Sequence, residues 1–201
     1  MISGRARLIA FEGGEACGKS TQATLLAARL DATLTREPGG TPLGEAVRAL
    51  LLDPRSAQIG PRAEALLMAA ARAQHVSAVI EPALAAGRIV VTDRFTGSSL
   101  AYQGFGRGLD VEQVGAVSCF ATAGREADVV VLLALSPVLA AARRSRAPDR
   151  LEAEGEGFHR RVLDGFEMLA AAHPGRWVRV DGDGSVEEVA ERVWAALEPL
   201  L

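Results

Sequence analysis

Short runs of apolar residues alternate along this chain with longer segments in which apolar residues recur every three or four positions. The first apolar run, Leu8–Glu12, precedes a glycine-rich turn and then a periodic segment over residues 20–30. Continuous apolar runs of this length predict buried strands, and the three-to-four-residue periodicity predicts helices. Because the two alternate, the pattern predicts an α/β protein with a parallel sheet covered by helices on both faces.

The same pattern predicts the remaining elements in chain order. Further strands are expected at residues 32–35, 88–93, 128–133 and 177–180. Helices are expected at residues 42–52, 61–86, 111–121, 137–144, 157–172 and 186–197, with Thr41 capping the first of these and Gly87 ending the second. Residues 145–157 lack periodicity and are rich in Arg, Glu and Gly, so we expect a mobile, charged lid there. No linker interrupts the pattern, and residues 1–201 are expected to form one domain.

Composition excludes several classes of protein. At 201 residues and 49% hydrophobic content, the chain is long enough to bury one substantial core. Its formal net charge of -3 lacks the basic character of proteins that grip a nucleic-acid polymer. No apolar stretch is long enough to span a membrane, and we therefore expect a soluble, cytoplasmic protein. The two cysteines, Cys17 and Cys119, have neither zinc-ligand spacing nor a disulfide framework.

Residues 13–20 match the phosphate-binding pattern Gly-x-x-x-x-Gly-Lys-Ser/Thr and lie between a predicted strand and a predicted helix, as the pattern requires. Glycine lets backbone N–H groups turn toward phosphate oxygens, and the start of the helix adds partial positive charge. Lys19 is the only lysine in the chain and supplies a compact charge for the outer phosphates. The predicted ATP-binding residues are Gly13, Gly14, Glu15, Ala16, Cys17, Gly18, Lys19, Ser20 and Thr21.

A carboxylate ends the apolar run at residues 88–93. Asp93 is expected at the carboxyl edge of the sheet beside the loop, where it could hold Mg²⁺ together with the hydroxyl of Ser20. Asp in such a position is also a common helix cap, so its role depends on the neighbouring loop. Arg36 follows the second predicted strand at the same edge and could clamp a second phosphate, with an ordinary surface turn as the alternative.

Four stretches together closely resemble the thymidylate kinases: residues 11–22, 35–41, 93–104 and 149–152. They extend over nearly the whole chain in the order of that family. The runs Arg-Glu-Pro-Gly-Gly-Thr and Ser-Leu-Ala-Tyr-Gln-Gly are more specific to it than the phosphate loop is. The resemblance implies a P-loop nucleoside monophosphate kinase fold with a short lid. It also implies a homodimer that converts dTMP and ATP into dTDP and ADP in dTTP biosynthesis.

The resemblance assigns residues to the sugar and phosphate of dTMP. Glu15 would accept a hydrogen bond from the 3′-hydroxyl, which gives a reason for a carboxylate inside a phosphate loop. Arg36 and Arg94 would hold the acceptor phosphate. Tyr102 would crowd the sugar and thereby exclude a ribose 2′-hydroxyl.

On the base side, the resemblance places Arg72 at the thymine carbonyl, and it places Ser98 and Ser99 along the base edge. It includes Gln103 in the same pocket. Met68 occupies the position that usually holds an aromatic ring stacked on thymine. A thioether is polarizable but lacks a flat face, so we expect altered base affinity or selectivity.

A second departure from the family concerns the catalytic arginine. Ala16 stands where some members have Arg in the phosphate loop, and in bacterial-type members without it the lid supplies this residue. Arg146 and Arg150 are the preferred candidates in the lid here, with solvated surface charge as the alternative. The predicted catalytic residues are Lys19, Asp93, Arg94, Arg146 and Arg150.

Two other functions stay open on the sequence alone. The chain could phosphorylate a different nucleoside monophosphate, because Met68 stands where the family usually has an aromatic ring stacked on thymine. It could instead be a P-loop switch or regulatory ATPase. Against that alternative, the chain has no Asn and no second Lys with which to form a guanine-reading Asn/Thr-Lys-x-Asp segment.

Overall fold

The computed structural model describes residues 6–56, 59–143 and 147–201. Within these residues, five strands form one parallel sheet: β1 (Leu8–Glu12), β2 (Thr33–Arg36), β3 (Val90–Asp93), β4 (Val129–Ala134) and β5 (Trp177–Asp181). Their order across the sheet is β2-β3-β1-β4-β5. The predicted strands are confirmed, and their bounds shift by at most two residues.

The helices that the structure describes are α1 (Lys19–Leu30), α2 (Pro42–Leu52), α3 (Pro61–His75), α4 (Glu81–Ala85), α5 (Thr96–Ser99), α6 (Val111–Thr122), α7 (Pro137–Arg143), α8 (Glu156–Ala172) and α9 (Val186–Leu197). A π-helical segment, Val76–Ile80, joins α3 to α4, so the predicted helix at residues 61–86 is continuous but not uniformly α-helical. Short 3₁₀ turns occupy Pro54–Ser56 and Glu198–Leu200. Thr41 caps α2 as predicted, since its Oγ1 accepts a hydrogen bond from Gly44 N at 3.0 Å. In the described parts of the chain, no helix combines the length and the apolar character that crossing a bilayer requires.

Side chains of the central strands alternate between the two faces of the sheet, as the pleat of a strand requires. Leu8 and Ala10 of β1 belong to one hydrophobic core, which includes Phe166 of α8. Ile9 and Phe11 belong to a second core on the opposite face, which includes residues of α1 and α9. All four β1 residues are fully buried. Helices therefore cover both faces, and the predicted α/β architecture is confirmed.

One helical region has no counterpart in the sequence prediction. Residues 96–106 form α5 followed by a π-helical segment, Leu100–Gly106. The stretch is rich in Gly and Ser, which have low helix propensity. The small residues instead permit close packing, because a Cβ atom on Gly97 would lie 2.8 Å from the Trp177 ring. Tertiary packing rather than local propensity therefore determines this helix.

The topology places three loops together at the carboxyl edge of the sheet. Strands β1 and β3 are neighbours, so the glycine-rich loop after Glu12 and the residues after Asp93 lie side by side. Strand β2 pairs with the other side of β3, which brings the loop after Arg36 to the same edge. Open parallel sheets bind their ligands outside this edge. The residues that follow β1, β2 and β3 therefore form the candidate site.

The predicted lid is only partly described by the structure. Residues 145 and 146 lie outside the described residues, as does residue 144 at the end of a predicted helix. From residue 147 to residue 155 the chain forms turns without helix or strand, and within it Arg150 and Leu151 are buried. Helix α8 begins at Glu156, one residue earlier than predicted. The mobility of the lid stays a prediction.

Candidate functional site

The glycine-rich loop connects β1 to α1. Gly13 has a φ of 141°, and a Cβ atom there would lie 2.5 Å from the carbonyl oxygen of Leu133, so only glycine fits. Lys19 begins α1 and is 6% exposed. Its Nζ donates hydrogen bonds to Gly14 O at 2.5 Å and to Cys17 Sγ at 3.5 Å. The loop thus curls around an ammonium group at the amino end of a helix, an arrangement that suits phosphate.

Ser20, in the first turn of α1, meets Asp93 at the end of β3. Ser20 Oγ donates a hydrogen bond to Asp93 Oδ2 at 2.5 Å. The other carboxylate oxygen, Asp93 Oδ1, is buried and has no hydrogen-bond partner among the residues that the structure describes. A buried carboxylate oxygen beside a hydroxyl suits Mg²⁺, which proteins commonly hold through one or two carboxylates and the substrate phosphates. Residues 6–56, 59–143 and 147–201 contain no cluster of three or more His, Cys, Asp or Glu able to hold a metal.

Glu15 and Arg94 form an ion pair between the loop and the residue after β3. Arg94 Nη2 lies 2.7 Å from Glu15 Oε1, and the Tyr102 hydroxyl donates to the same oxygen. Burial raises the pKa of Glu15, but the charges of Arg94 and Lys19 outweigh burial and lower this pKa to about 2. Burial acts to lower the pKa of Arg94, whereas Tyr102 and Glu15 raise it well above its ordinary value. Both members of the pair are therefore charged at neutral pH.

Glu12 lies behind this pair and is a residue of the site that the sequence analysis does not identify. Its carboxylate is fully buried at the end of β1 and accepts hydrogen bonds from Phe95 N at 3.0 Å, Ser98 N at 2.9 Å and Ser98 Oγ at 2.6 Å. Burial raises the pKa of Glu12 against the opposing effect of these hydrogen bonds. Ser98 Oγ also accepts from Arg94 Nη1 at 3.0 Å, which links Glu12 to the ion pair. The signal available in the sequence is a carboxylate that ends an apolar strand directly before the loop.

Arg72 of α3 is 2% exposed and has hydrogen-bond partners on all three guanidinium nitrogens. Nε donates to Glu37 Oε2 at 2.7 Å. Nη1 donates to Ser99 Oγ and Nη2 donates to Phe95 O, both at 3.0 Å. Glu37 in turn lies 2.9 Å from His75 Nδ1. Because the guanidinium presents its donors in a fixed fork, these contacts set its orientation. Glu37 and His75 are missing from the sequence prediction, since each acquires this role only when α3 packs beside the loop after β2.

Arg36 lies at the open side of the site, with its side chain 54% exposed. Its Nη2 is 3.0 Å from both carboxylate oxygens of Glu45. The hydrogen bond from Gly40 N and the charge of Arg36 lower the pKa of Glu45. Arg48, another residue that the sequence analysis does not identify, donates to Pro38 O at 3.0 Å. An exposed ion pair is worth little, so Arg36 can exchange Glu45 for a phosphate at small cost.

These groups open into one cleft of about 880 Å³, a size typical of small-molecule sites. Most of the predicted site residues line it: Glu15, Ala16, Gly18, Lys19, Ser20, Thr21, Arg36, Met68, Arg72, Asp93, Arg94, Ser98, Ser99, Tyr102 and Gln103. Gly13, Gly14 and Cys17 shape the loop without lining the cleft. The lining also contains charged residues that the sequence analysis does not single out: Glu37, Glu45, Arg48, Asp149 and Glu152.

Two of the arginines in and before the predicted lid can be placed. Arg143 lines the cleft and donates to two backbone carbonyls of the loop after β5. Arg150 is buried and donates to Leu51 O at 2.7 Å and to Glu64 Oε2 at 2.5 Å. Arg146 lies outside the described residues. Contact of Arg146 or Arg150 with a transferred phosphate stays a prediction.

The fold and the site together define a class of protein. A lysine-bearing phosphate loop lies at the carboxyl edge of a β2-β3-β1-β4-β5 sheet, and a second set of cations, Arg36, Arg72 and Arg94, opens into the same cleft. One cleft lined by a phosphate loop and by a second group of cations is the arrangement of a P-loop kinase that acts on a small phosphorylated acceptor.

Comparisons with known proteins lead to the family. The family model described as thymidylate kinase matches residues 11–193. The chain is 52% identical to a thymidylate kinase of Synechococcus sp. (strain JA-3-3Ab), over 96% of each chain. It is 48% identical to a thymidylate kinase of Gloeobacter violaceus, over 96% of this chain and 95% of the relative. The crystal structure of thymidylate kinase from Ehrlichia chaffeensis is similar at a TM-score of 0.81 and 29% identity, over 96% of this chain and 100% of that one.

The chain belongs to the thymidylate kinase family, and it is an ATP-dependent nucleoside monophosphate kinase. The resemblance and the P-loop nucleoside monophosphate kinase fold are thereby confirmed.

Proposed function

We propose that this chain transfers the γ-phosphoryl group of ATP to dTMP, giving dTDP and ADP in the supply of dTTP. The observation that carries the proposal is that Lys19, Arg94 and Arg72 line one cleft, so that a donor loop and a second set of cations share the same space. Membership of the thymidylate kinase family supports dTMP as the acceptor.

On the donor side, Lys19 and the backbone amides of residues 13–20 hold the outer phosphates of ATP. Ser20 and Asp93 would hold Mg²⁺, and the buried Asp93 Oδ1 without a described hydrogen-bond partner supports this assignment. The cation, when bound, neutralises phosphate charge. Phosphoryl transfer requires little covalent chemistry from the protein, because catalysis consists mainly of aligning the two substrates and neutralising the charge on the migrating group.

On the acceptor side, Arg36 and Arg94 hold the phosphate of dTMP and present its oxygen to the donor. Glu15 is ionised, because its pKa is lowered to about 2, and by itself it repels that phosphate. Accepting a hydrogen bond from the 3′-hydroxyl gives this carboxylate a role. Tyr102 donates to Glu15 and stands beside the sugar, where it excludes a 2′-hydroxyl.

The base occupies the side of the cleft lined by α3 and by residues 98–103. Arg72 donates to a thymine carbonyl. Hydrogen bonds from each of its three guanidinium nitrogens fix the orientation of the side chain, which supports a contact in one direction. Met68, four residues earlier on α3, packs against the base. The base edge is contacted by Ser98, Ser99 and Gln103, all of which line the cleft.

Further assignments complete the proposal and stay predictions. Residues 1–201 act as one domain, and an arginine of the lid, Arg146 or Arg150, covers the migrating group while the lid excludes water. The chain forms a homodimer. Leu66 on α3 and Phe120 on the adjoining α6 are both exposed, and large apolar side chains in solvent are candidates for such an interface. The enzyme works in the cytoplasm, without a membrane or a nucleic-acid polymer as partner.

Initial rates of ADP formation with dTMP, dUMP, dGMP, CMP and no acceptor test the proposed function. We expect dTMP to be the preferred acceptor and ADP formation to depend on it. A preference for another monophosphate would favour the alternative that the chain is a kinase for that nucleotide, with Met68 in place of the usual aromatic ring. ADP formation without any acceptor would instead favour a P-loop ATPase switch.

A further inference from the structure

Glu64 is a buried carboxylate to which the reaction described above gives no role. It lies in the first turn of α3 and is 0% exposed. Gln103 Nε2 donates to it at 2.9 Å and Arg150 Nη2 at 2.5 Å. Arg107 donates through Nε at 3.2 Å and through Nη2 at 3.0 Å. A carboxylate has about four lone-pair sites, so these four bonds satisfy it completely.

The charge state of Glu64 follows from the same contacts. Burial raises its pKa, but the hydrogen bonds from Arg107, Gln103 and Arg150 outweigh burial and lower the pKa below its ordinary value. Glu64 is therefore ionised at neutral pH. Losing one of its cationic partners would leave a buried charge poorly compensated, which is strongly unfavourable.

The partners of Glu64 come from different parts of the cleft wall. Gln103 lies in the π-helical segment directly after Tyr102 and lines the cleft. On α3 itself, Met68 is four positions and Arg72 eight positions after Glu64, which places all three on the same helix face. Arg150 belongs to residues 147–155, a segment that contributes Asp149, Leu151 and Glu152 to the cleft lining.

Arg150 is also attached to the end of α2. Its Nε donates to Leu51 O at 2.7 Å, and its backbone N donates to Leu52 O at 3.2 Å. The last carbonyls of a helix lack partners within the helix, and one residue here satisfies two of them. Only 7% of Arg150 is exposed. To reach a phosphate in the cleft, this guanidinium would have to break two buried hydrogen bonds.

We propose that Arg150 is a positioning residue that acts through Glu64, rather than a contact to the transferred phosphate. The pair holds residues 147–155 against α3, the helix that carries Met68 and Arg72. The positions of the acceptor side of the cleft and of residues 147–155 therefore depend on each other. This inference rests on the proposed kinase function and deepens it. Two residues that act as one unit give losses that do not add when both are removed.

A double-mutant cycle on the turnover rate tests the pair. The variants are Arg150→Gln, Glu64→Gln and the double variant, assayed with whichever nucleoside monophosphate the wild-type chain phosphorylates. We expect each single variant to lower kcat by roughly 100-fold, the effect of misplacing reacting groups by about 1 Å. The double variant should be no slower than the slower single variant. Arg179→Gln, which breaks the exposed ion pair with Glu167, is the control and should keep the wild-type rate.

A direct phosphate contact by Arg150 predicts a different pattern. In that case Glu64→Gln leaves kcat close to wild type, and any losses multiply in the double variant. Either result with folded protein overturns the proposal. Because the acceptor is the one that the wild-type chain selects, a wrong assignment of dTMP would not affect the outcome.

Binding of the acceptor in the absence of ATP gives a second measurement, which needs only Arg150→Gln if Glu64→Gln does not fold. Loss of the pair should weaken acceptor binding in calorimetry by roughly tenfold, a typical interaction energy for residues in contact. The transferred phosphate belongs to ATP, which is absent from this experiment, so a residue that touches only that phosphate would not affect acceptor binding. Unchanged acceptor affinity in folded Arg150→Gln would therefore also overturn the proposal.

Discussion

The donor loop and the acceptor side of the cleft are built in different ways. The donor loop is one continuous stretch, residues 13–20, in which Lys19 Nζ bonds to Gly14 O only five positions away. On the acceptor side, two of the three cations pair with carboxylates that are distant in sequence. Arg72 is 35 positions from Glu37, and Arg94 is 79 positions from Glu15. Local chain geometry shapes the first region, whereas sheet topology and helix packing assemble the second.

The two regions also differ in whether their cations are paired with carboxylates. The donor loop surrounds Lys19 with a carbonyl and a thiol, which leaves the ammonium charge available for a triphosphate. The acceptor side holds Arg72 in a buried ion pair and Arg94 in a partly buried one, because a guanidinium that is removed from water without an anion is strongly destabilising. Removing the loop cation Lys19 should therefore act mainly on catalysis, while substitutions on the acceptor side should change acceptor KM, selectivity and stability as well as turnover.

The largest effect is expected for Lys19→Ala. The variant should lower kcat by about 10³-fold, because it removes a preorganised cation from the transferring phosphates. Circular dichroism and thermal unfolding should match wild type, since Nζ is bonded within its own loop. Arg29→Ala, at an exposed position of the same helix, should keep the wild-type rate. A near-normal kcat for Lys19→Ala would contradict the central assignment of the donor loop.

Glu15→Gln should change stability in a pH-dependent way. The pKa of Glu15 is lowered from 4.5 to about 2, so its ionised form stabilises the fold above pH 4.5 and this contribution disappears as pH falls toward 2. The difference corresponds to roughly 3 kcal/mol of the free energy of unfolding. Urea unfolding of wild type and Glu15→Gln at pH 7 and near pH 2 measures it.

The gap in stability between these two proteins should be large at pH 7 and small near pH 2. Glu167→Gln, at an exposed carboxylate paired with Arg179, serves as the control and should show little gap at either pH. An equal gap for Glu15→Gln at both pH values would mean that the Arg94 pair does not stabilise the ionised carboxylate.

Asp93→Asn should raise the requirement for Mg²⁺. We expect the Mg²⁺ concentration for half-maximal rate to rise by about tenfold, a usual cost of weakening a metal site. Calorimetry of ATP binding at several Mg²⁺ concentrations should show the same shift without turnover. Asp164→Asn, at an exposed position of α8, is the control. An unchanged Mg²⁺ dependence would remove Asp93 from the proposed metal site.

The smallest effect is expected for Met68→Phe on the acceptor side. A flat ring can stack on a base, and such stacking contributes about 1–3 kcal/mol when compared with Ala. Since Met68 already packs there, we expect KM for dTMP to fall by roughly threefold with kcat unchanged. Met168→Phe, at an exposed position of α8, is the matched control. An increase in KM would show that the pocket is shaped for the thioether.

The hydrophobic pattern predicts the strands and most helices of this protein closely. The predicted bounds of β1 and α9 match the structure, because periodicity in sequence reports which positions are buried. Residues 96–106 escape the prediction, since their Gly and Ser content argues against a helix while close packing beside Trp177 and Glu12 requires small residues there. The error thus falls where tertiary contacts override local propensity.

By itself, the sequence determined the α/β architecture, the donor loop and the family, because these depend on burial periodicity and on residue types at short, fixed spacing. Only the tertiary structure decided which carboxylate meets which partner: Glu12 with Ser98, Glu37 with Arg72, and Glu64 with Arg150, at separations of 86, 35 and 86 positions. Among the many arginines of this chain, residue type does not specify a partner. The packing of helices on the sheet does, because it sets which buried charges come within hydrogen-bonding distance.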